Sequence, residues 1–153
     1  MKIGVLYDTH DFFDPRVEKI FTGVNHIFHA GDIGNPMLIL ELQFIAPVTA
    51  VQGNCDTSPN YRHTETVELA QKKFLIHHII NPYALTKAAG DAIAREAPHA
   101  VVFGHTHRKF AETVNGIFYF NPGYAGKAKF GAERSVAILY LDEKGLRHDF
   151  IPL

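Results

Sequence analysis

A short apolar run leads directly into two histidines in the segment Ala100-Val101-Val102-Phe103-Gly104-His105-Thr106-His107. An apolar run of this length with polar residues after it predicts a buried strand that ends before Gly104. The glycine lets the backbone turn sharply there. Histidines at positions i and i+2 can then direct both rings into one cavity. Because neutral imidazole is the commonest protein ligand of transition metals, the segment indicates either a metal site or a turn that carries two histidines.

The same kind of strand ending occurs three times in the first third of the chain. Apolar strands are predicted at 3–7, 26–30 and 48–51, and each leads into a polar or glycine-rich loop. The first two loops lead into helical patterns through Asp14-Pro15 and Asn35-Pro36, which carry the cap-and-proline signal of a helix start. Short helical connections favour parallel strands. The polar loops then lie at the carboxyl ends of the strands, where open α/β sheets hold their sites.

The remainder of the chain is predicted to contain one helix and several strands, and we expect these strands to be antiparallel. Runs at 64–69 and 74–80 indicate a hairpin or two neighbouring strands. A helix is predicted from Asn81-Pro82, and Asn115-Gly116 is a strong hairpin signal. We therefore expect an α/β fold of mixed α+β character, a four-layer αββα sandwich of two β-sheets flanked by helices. Residues 1–153 are expected to form a single domain.

Composition restricts the class of protein. The chain is 46% hydrophobic and 20% charged, which is typical of globular proteins, and its net charge of −1 favours no contact with extended nucleic acid. No stretch approaches the ~18 apolar residues of a membrane span. The single cysteine cannot form an internal disulfide, so we expect a reducing, cytoplasmic location. The β-rich part also offers an edge at which copies of the chain could pair as a homo-oligomer.

The strand-end loops together carry seven oxygen and nitrogen donors. They are Asp8, His10, Asp32, Asn54, His77, His105 and His107. Seven ligands are too many for one tetrahedral zinc ion with an open position, and they suit two ions that share a carboxylate. The imidazole-rich set favours Mn, Fe or Zn over Ca or Mg. At most one of His77 and His78 should face such a site, because adjacent strand residues point to opposite faces.

Five short motifs occur in the order typical of the calcineurin-like metallophosphoesterases, and the sequence resembles this family over nearly its whole length. They are Asp8-Thr9-His10, Gly31-Asp32, Gly53-Asn54, His77 and Gly104-His105-Thr106-His107. The small size of the chain, with Gly53-Asn54-Cys55-Asp56 and Asn121-Pro122-Gly123, is similar to the compact phosphodiesterase branch of that family.

The resemblance implies an enzyme that hydrolyses small phosphodiesters through a dinuclear metal centre and a metal-bridging hydroxide. It implies two divalent ions, with Mn²⁺ favoured and Fe, Zn or Ni as alternatives. No catalytic side chain besides the ligands is assigned. The ligands that it implies are Asp8, His10 and His107 for the first ion, Asn54, His77 and His105 for the second, and Asp32 as the bridge.

Two positions near the predicted site depart from the family pattern. Cys55 stands where many larger members have a histidine that helps to protonate the leaving group, and His78-Ile79 replaces the usual Gly-His. We interpret Cys55 as a small residue in a tight turn that is not a required nucleophile.

A different class of function is also compatible with the resemblance. One relative of the family, a subunit of an endosomal sorting coat, has the same fold and a degraded metal site. The alternative for this chain is therefore a non-catalytic protein-interaction scaffold, and a metal-dependent binder or regulator is a further one. Both aspartates and Asn54 are present here, which favours the enzyme.

Overall fold

Ten strands and three helices make up the computed structural model, which describes residues 1–58, 60–129 and 131–153. In chain order they are β1 (Lys2–Leu6), α1 (Arg16–Ile20), β2 (His26–His29), α2 (Met37–Gln43), β3 (Val48–Ala50), β4 (Thr64–Leu69), β5 (Lys72–His77), α3 (Lys87–Glu96), β6 (Ala100–Val102), β7 (Lys109–Val114), β8 (Ile117–Pro122), β9 (Ser135–Asp142) and β10 (Gly145–Pro152).

The strands form two five-stranded sheets. The order is β10-β9-β1-β2-β3 in the first sheet and β4-β5-β6-β8-β7 in the second. As predicted from the helical connections, β1, β2 and β3 are parallel, and β9 and β10 extend this sheet in antiparallel pairing. In the second sheet β6 is parallel to both β5 and β8, whereas the sequence predicts mainly antiparallel strands in this part of the chain. The reason is that α3 connects β5 to β6 as a crossover. Between β6 and β8 the chain forms β7, which lies at the edge of the sheet, so β8 returns beside β6 in the parallel direction.

Three apolar clusters hold the layers together. The largest lies between the two sheets and includes Val5, Phe28, Phe74, Val102 and Leu139, all fully buried. A second cluster packs α1 and α2 on the outer face of the first sheet, and a third packs α3 on the outer face of the second. The predicted four-layer αββα sandwich is confirmed by this arrangement.

The third helix begins later than the sequence predicts. Asn81 Oδ1 accepts a hydrogen bond from Tyr83 N at 3.1 Å and so forms a turn. The helix is instead capped by Thr86, whose Oγ1 accepts from Ala89 N at 3.2 Å. The cap-and-proline signal at Asn81-Pro82 therefore forms a turn, because Thr86, five residues after Asn81, caps the helix instead. None of the helices in the described ranges is long and apolar enough to cross a membrane.

The predicted hairpin at Asn115-Gly116 is present between β7 and β8. Both residues have positive φ values, 50° and 81°, as a two-residue turn of this type requires. The hairpin of β4 and β5 turns at Ala70 and Gln71, which also have positive φ values although neither is a glycine.

The packing predicts a large difference between a buried and an exposed phenylalanine. Phe28 is fully buried, and its ring lies 5.3 Å from that of Phe74, whereas Phe44 is 92% exposed. We expect Phe28→Ala to lower the free energy of unfolding by about 3–5 kcal/mol, since it leaves a cavity between the sheets. Phe44→Ala should change the free energy by less than about 0.5 kcal/mol. Denaturant unfolding of both variants measures this, and equal effects would contradict the assigned core.

A buried carboxylate joins α1 to the segment that precedes β9. Asp14 Oδ2 accepts hydrogen bonds from Arg16 Nη2 at 2.7 Å and from Arg134 Nη2 at 2.6 Å. Arg134 Nε also donates to the carbonyl of Gly126 at 2.6 Å. The hydrogen bonds from Arg16, with a smaller contribution from Arg134, hold the pKa of Asp14 well below its ordinary value. The ionised form of Asp14 is therefore stabilised by folding.

This network predicts a pH-dependent contribution to stability. Hydrogen bonds to charged groups contribute about 1–3 kcal/mol, so Asp14→Asn should lower the unfolding free energy by about this amount at neutral pH. Because the folded-state pKa is lower than the unfolded value of about 3.9, the stabilisation is present above that value and is lost as the pH falls below it. The difference between the two proteins should therefore stay constant from pH 7 to about pH 5 and shrink as the pH falls below about 4 in denaturant titrations.

The matched control is Asp142→Asn. Asp142 pairs with Arg147 at 2.7 Å on the exposed surface, where such pairs contribute little. If the difference in unfolding free energy between Asp14→Asn and the unmodified chain stays constant in acid, the assignment to the Asp14 charge is contradicted.

Candidate metal centre

The loops that follow β1, β2, β3, β5 and β6 meet at one edge of the sandwich. Backbone hydrogen bonds connect them within each sheet, from Asp8 N to the Gly31 carbonyl at 3.0 Å and from Gly104 N to the His78 carbonyl at 2.9 Å. A side-chain hydrogen bond connects the two sheets, since His78 Nδ1 donates to the Ala30 carbonyl at 2.6 Å. The polar residues at the strand ends are therefore brought to one place, as the parallel topology predicts.

Two carboxylates lie at the centre of this edge, with histidines around them. His107 Nε2 lies 2.8 Å from Asp8 Oδ2, and His10 Nε2 lies 3.8 Å from Asp32 Oδ2. His78 Nε2 lies 3.4 Å from Asp32 Oδ2 and 3.8 Å from Asp8 Oδ1. The ligand atoms of Asp8, His10 and His107 lie within 4.8 Å of one another, and so do those of Asp8, Asp32 and His78. Two groups of potential metal ligands thus share a carboxylate.

Asn54 brings His105 to the same cluster. Its Oδ1 lies 2.9 Å from His105 Nδ1 and 3.1 Å from His78 Nε2. Because His78 Nδ1 carries the proton that it donates to Ala30, Nε2 of the neutral ring has a lone pair and no proton. The Asn54 oxygen and this nitrogen are then two acceptors that face each other, which is the arrangement that a shared cation stabilises.

The structure places His78 in this cluster and His77 outside it. His77 Nδ1 makes a hydrogen bond with Thr64 Oγ1 at 2.8 Å, on the side of β4. The chain leaves β5 at His77, and the next side chain turns toward the first sheet, where Gly31 leaves room for it. A Cβ on Gly31 would lie 2.6 Å from His78 Nδ1. Of the two adjacent histidines, it is therefore His78 that lies near the carboxylates, whereas the predicted ligand His77 lies away from them.

The Asp8 carboxylate is buried in an electrostatically unfavourable environment. Asp8 is fully buried, and among the described residues neither of its oxygens receives a well-formed hydrogen bond. Burial, followed by the charge of Asp32, raises the pKa of Asp8 to about 8. A buried carboxylate without donors is costly in the absence of a cation. The donor set of carboxylates, imidazoles and one amide oxygen therefore fits divalent metal ions.

The surrounding groups have pKa values suited to ligands. Burial lowers the pKa of His78 and of His107, so both rings are neutral and can donate a lone pair. Although burial acts to raise the pKa of Asp32, a hydrogen bond from Cys55 N and the nearby His78 hold it below its ordinary value. Asp32 is thus ionised.

Several candidate ligands lie on strained backbone. Positive φ values between 45° and 69° occur at Asp8, His10, Asp32, His105 and His107. Each such non-glycine residue costs about 1–2 kcal/mol. Strain of this kind persists only where the surrounding structure enforces it, and it is typical of functional sites. At Gly53 the loop approaches Asp32 so closely that a Cβ would lie 2.1 Å from Asp32 Oδ1.

Residues outside the predicted ligand set hold these loops in place. The hydroxyl of Thr9 donates to the Ile33 carbonyl at 3.0 Å and accepts from Nε2 of the buried His29 at 3.0 Å. Asn121 Nδ2 donates to the carbonyl of Gly104 at 3.1 Å, and the Tyr124 ring stacks on His107 with a centroid distance of 4.6 Å.

Only some of these supporting residues are recognisable from the sequence. Thr9 and Asn121 were part of the family-like motifs. No local signal pointed to His29 or Tyr124, because their contacts are made across strands.

Comparison with known proteins agrees with this geometry. The family model of the calcineurin-like phosphoesterase superfamily domain matches residues 1–144. The chain belongs to this superfamily. A probable metallophosphoesterase from Methanothermobacter thermautotrophicus is 29% identical, with 99% of this chain and 92% of that protein covered.

Two solved structures illustrate the range of proteins that share the superfamily fold. The structure of an archaeal phosphodiesterase is 26% identical, covers 99% of this chain and 100% of its own, and superposes with a TM-score of 0.80. Vps29 from Chaetomium thermophilum superposes with a TM-score of 0.76 over 100% of this chain and 95% of its own, at 13% identity. The latter likeness concerns the fold alone.

The two adjacent histidines provide a matched pair of variants. We expect His78→Ala to lower the amount of divalent metal retained per chain after dialysis, because its Nε2 faces Asp8, Asp32 and Asn54. His77→Ala should retain the same amount as the unmodified chain, since its ring contacts Thr64. Elemental analysis of the dialysed proteins measures this. Metal loss in His77→Ala with full retention in His78→Ala would reverse the assignment.

Proposed function

We propose that this protein is a metal-dependent hydrolase of small phosphodiesters that works through a dinuclear metal centre. The observation that supports it most directly is the fully buried Asp8 carboxylate, which receives no well-formed hydrogen bond from the described residues and lies beside the neutral imidazoles of His78 and His107. Since this centre draws residues from both sheets, we propose also that residues 1–153 form a single metallophosphoesterase domain.

The ligand groups suggest how the residues divide between two ions. Asp8, His10 and His107 would hold one ion, because their ligand atoms lie within 4.8 Å of one another. The second ion would take Asn54, His78 and His105, whose donor atoms approach one another through Asn54 Oδ1. Asp32 would bridge the two, because its Oδ2 lies between His10 Nε2 and His78 Nε2.

Divalent ions bound here, with Mn²⁺ favoured and Fe, Zn or Ni as alternatives, would generate a nucleophile from water and neutralise charge on the phosphate oxygens. The protein groups prepare the site for them. The Ala30 carbonyl keeps the proton of His78 on Nδ1, so that Nε2 is free to donate its lone pair. The Asp32 charge, which a hydrogen bond from Cys55 N stabilises, would offset repulsion between two bound cations.

A cleft beside His107 offers space for a small substrate. Its volume is about 450 Å³, which is within the range of small-molecule sites. Arg108, Lys109 and Glu133 are among the residues that line it, and Lys109 Nζ is paired with Glu133 at 3.0 Å. The preference for a diester over a dianionic monoester is proposed from the likeness to the archaeal phosphodiesterase.

The alternative role as a protein-interaction scaffold is less well supported. The likeness to Vps29 extends to the fold only, and a fold by itself does not specify a function. The buried Asp8, Asp32 and His78 of this chain would be costly to retain in a protein that binds no metal. The complete donor set therefore favours the hydrolase.

Hydrolysis of paired chromogenic esters tests the proposed function. With Mn²⁺ added, we expect a bis-aryl phosphodiester to be cleaved faster than the matching aryl monoester, and chelation to abolish both activities. Asp32→Asn keeps the side-chain shape but removes the charge between the ions, so turnover should fall by about 1000-fold or more. Phe44→Ala, on the exposed surface, is the matched control and should retain full activity.

Two results would contradict the proposal. Faster cleavage of the monoester under the same metal condition would exclude the diester preference. Turnover that survives complete chelation would exclude the metal-dependent mechanism.

A further inference from the structure

The only cysteine of the chain lies on the solvent side of the candidate metal centre. The Sγ atom of Cys55, a ring nitrogen of His10 and a carboxylate oxygen of Asp32 all lie within 4.8 Å of one another. Asp32 is buried, whereas Cys55 is exposed, so the thiol lies between the carboxylate and the solvent. These residues form a third group of ligands, and its sulfur is unused in the assignment of ligands to the two ions.

A tight turn holds the thiol in this position. Cys55 N donates a hydrogen bond to Asp32 Oδ1 at 2.8 Å, and Asn54 Nδ2 donates to Cys55 Sγ at 3.4 Å. The turn is closed by Asp56, whose Oδ2 accepts from Gly53 N at 2.9 Å. The sulfur is therefore placed by backbone contacts to the same carboxylate that it approaches.

An independent observation indicates a cation next to His10. The fully buried Asp8 carboxylate receives no well-formed hydrogen bond from the described residues, and one of its oxygens lies within 4.8 Å of ring nitrogens of His10 and His107. His10 thus belongs to two groups, one with the hard oxygens of Asp8 and one with the soft sulfur of Cys55. A cation held by His10 can therefore be shared with either group.

We propose that Cys55, His10 and Asp32 bind a thiophilic divalent ion, Zn²⁺ or Cd²⁺, at the entrance of the metal centre, in competition with harder ions. Thiolate ligands select soft metals, whereas Mn²⁺ prefers oxygen donors. Zinc is bound in tetrahedral geometry by cysteine, histidine and carboxylate ligands, with water in an open position. On binding, the thiol proton is released to solvent and the sulfur forms a bond to the ion. The inference rests on the proposed function in that His10 and Asp32 serve both sites.

Cadmium titration of the metal-free protein tests the proposal. Thiolate-to-cadmium charge transfer gives an ultraviolet absorption band, and with one thiol in the chain this band reports on Cys55 alone. We expect a saturable band in the unmodified protein and none in Cys55→Ser. His10→Ala and Asp32→Asn should each weaken cadmium binding by at least about tenfold, since each removes a ligand or its charge.

The matched control is His99→Ala. His99 is an exposed histidine that precedes β6, at the opposite end of this strand from the metal centre, and the variant should bind cadmium as the unmodified chain does. Circular dichroism verifies that each variant is folded. Absence of the band in the unmodified protein would overturn the proposal. Undiminished cadmium affinity in both His10→Ala and Asp32→Asn would also overturn it, because Cys55 would then act as an isolated thiol.

Manganese binding, followed by electron paramagnetic resonance, separates this inference from the proposed function. Cys55→Ser should lose cadmium affinity and keep manganese affinity. If manganese neither binds nor supports turnover while the cadmium band shows the expected dependence on His10 and Asp32, the proposed function fails and the thiophilic site stands. If manganese supports turnover and the protein shows no cadmium band, the proposed function stands and the thiophilic site fails.

Discussion

The Asp8 carboxylate is buried at the end of β1 without a well-formed hydrogen bond from the described residues, and the rest of the site is arranged around this constraint. An isolated charge in such a place is costly, and its pKa is raised accordingly. His107 and His78 approach its two oxygens from the loops after β6 and β5, so histidines of the second sheet face a carboxylate of the first. Divalent cations would compensate this buried charge, which makes metal binding and the stability of this edge interdependent.

The two sheets are aligned at the site by contacts that tolerate little change. The hydrogen bond from His78 to the Ala30 carbonyl crosses between them, and it is possible because Gly31 has no side chain. Gly53 allows an equally close approach to Asp32 within the first sheet. The left-handed backbone at Asp8, Asp32 and other candidate ligands is a further cost, which the packed sandwich beneath them sustains.

The superfamily fold is shared by proteins of different function, so the donor set rather than the sandwich distinguishes them. In this chain Asp32 lies near His10 and His78, and Asn54 lies near His78 and His105, so that His78 adjoins both oxygen donors. The position next to Asn54 is occupied by Cys55, which adds sulfur to a set of oxygen and nitrogen donors. The proposed preference for thiophilic ions thus depends on one exposed side chain.

The sequence alone determined the repeated pattern of apolar strand and polar loop, and with it the αββα class and the positions of most site residues. These features follow from local periodicity and from motifs a few residues long, as at Asn115-Gly116 and in the segment that ends at His107. Only the tertiary structure shows that His78, and not His77, lies near the carboxylates, because this depends on how the chain leaves β5 and on the space above Gly31. It also decided the parallel pairing of β6 with β8 and the later start of α3 at Lys87. These features depend on contacts between segments that are distant in the chain or on competition between neighbouring caps, which local patterns do not encode.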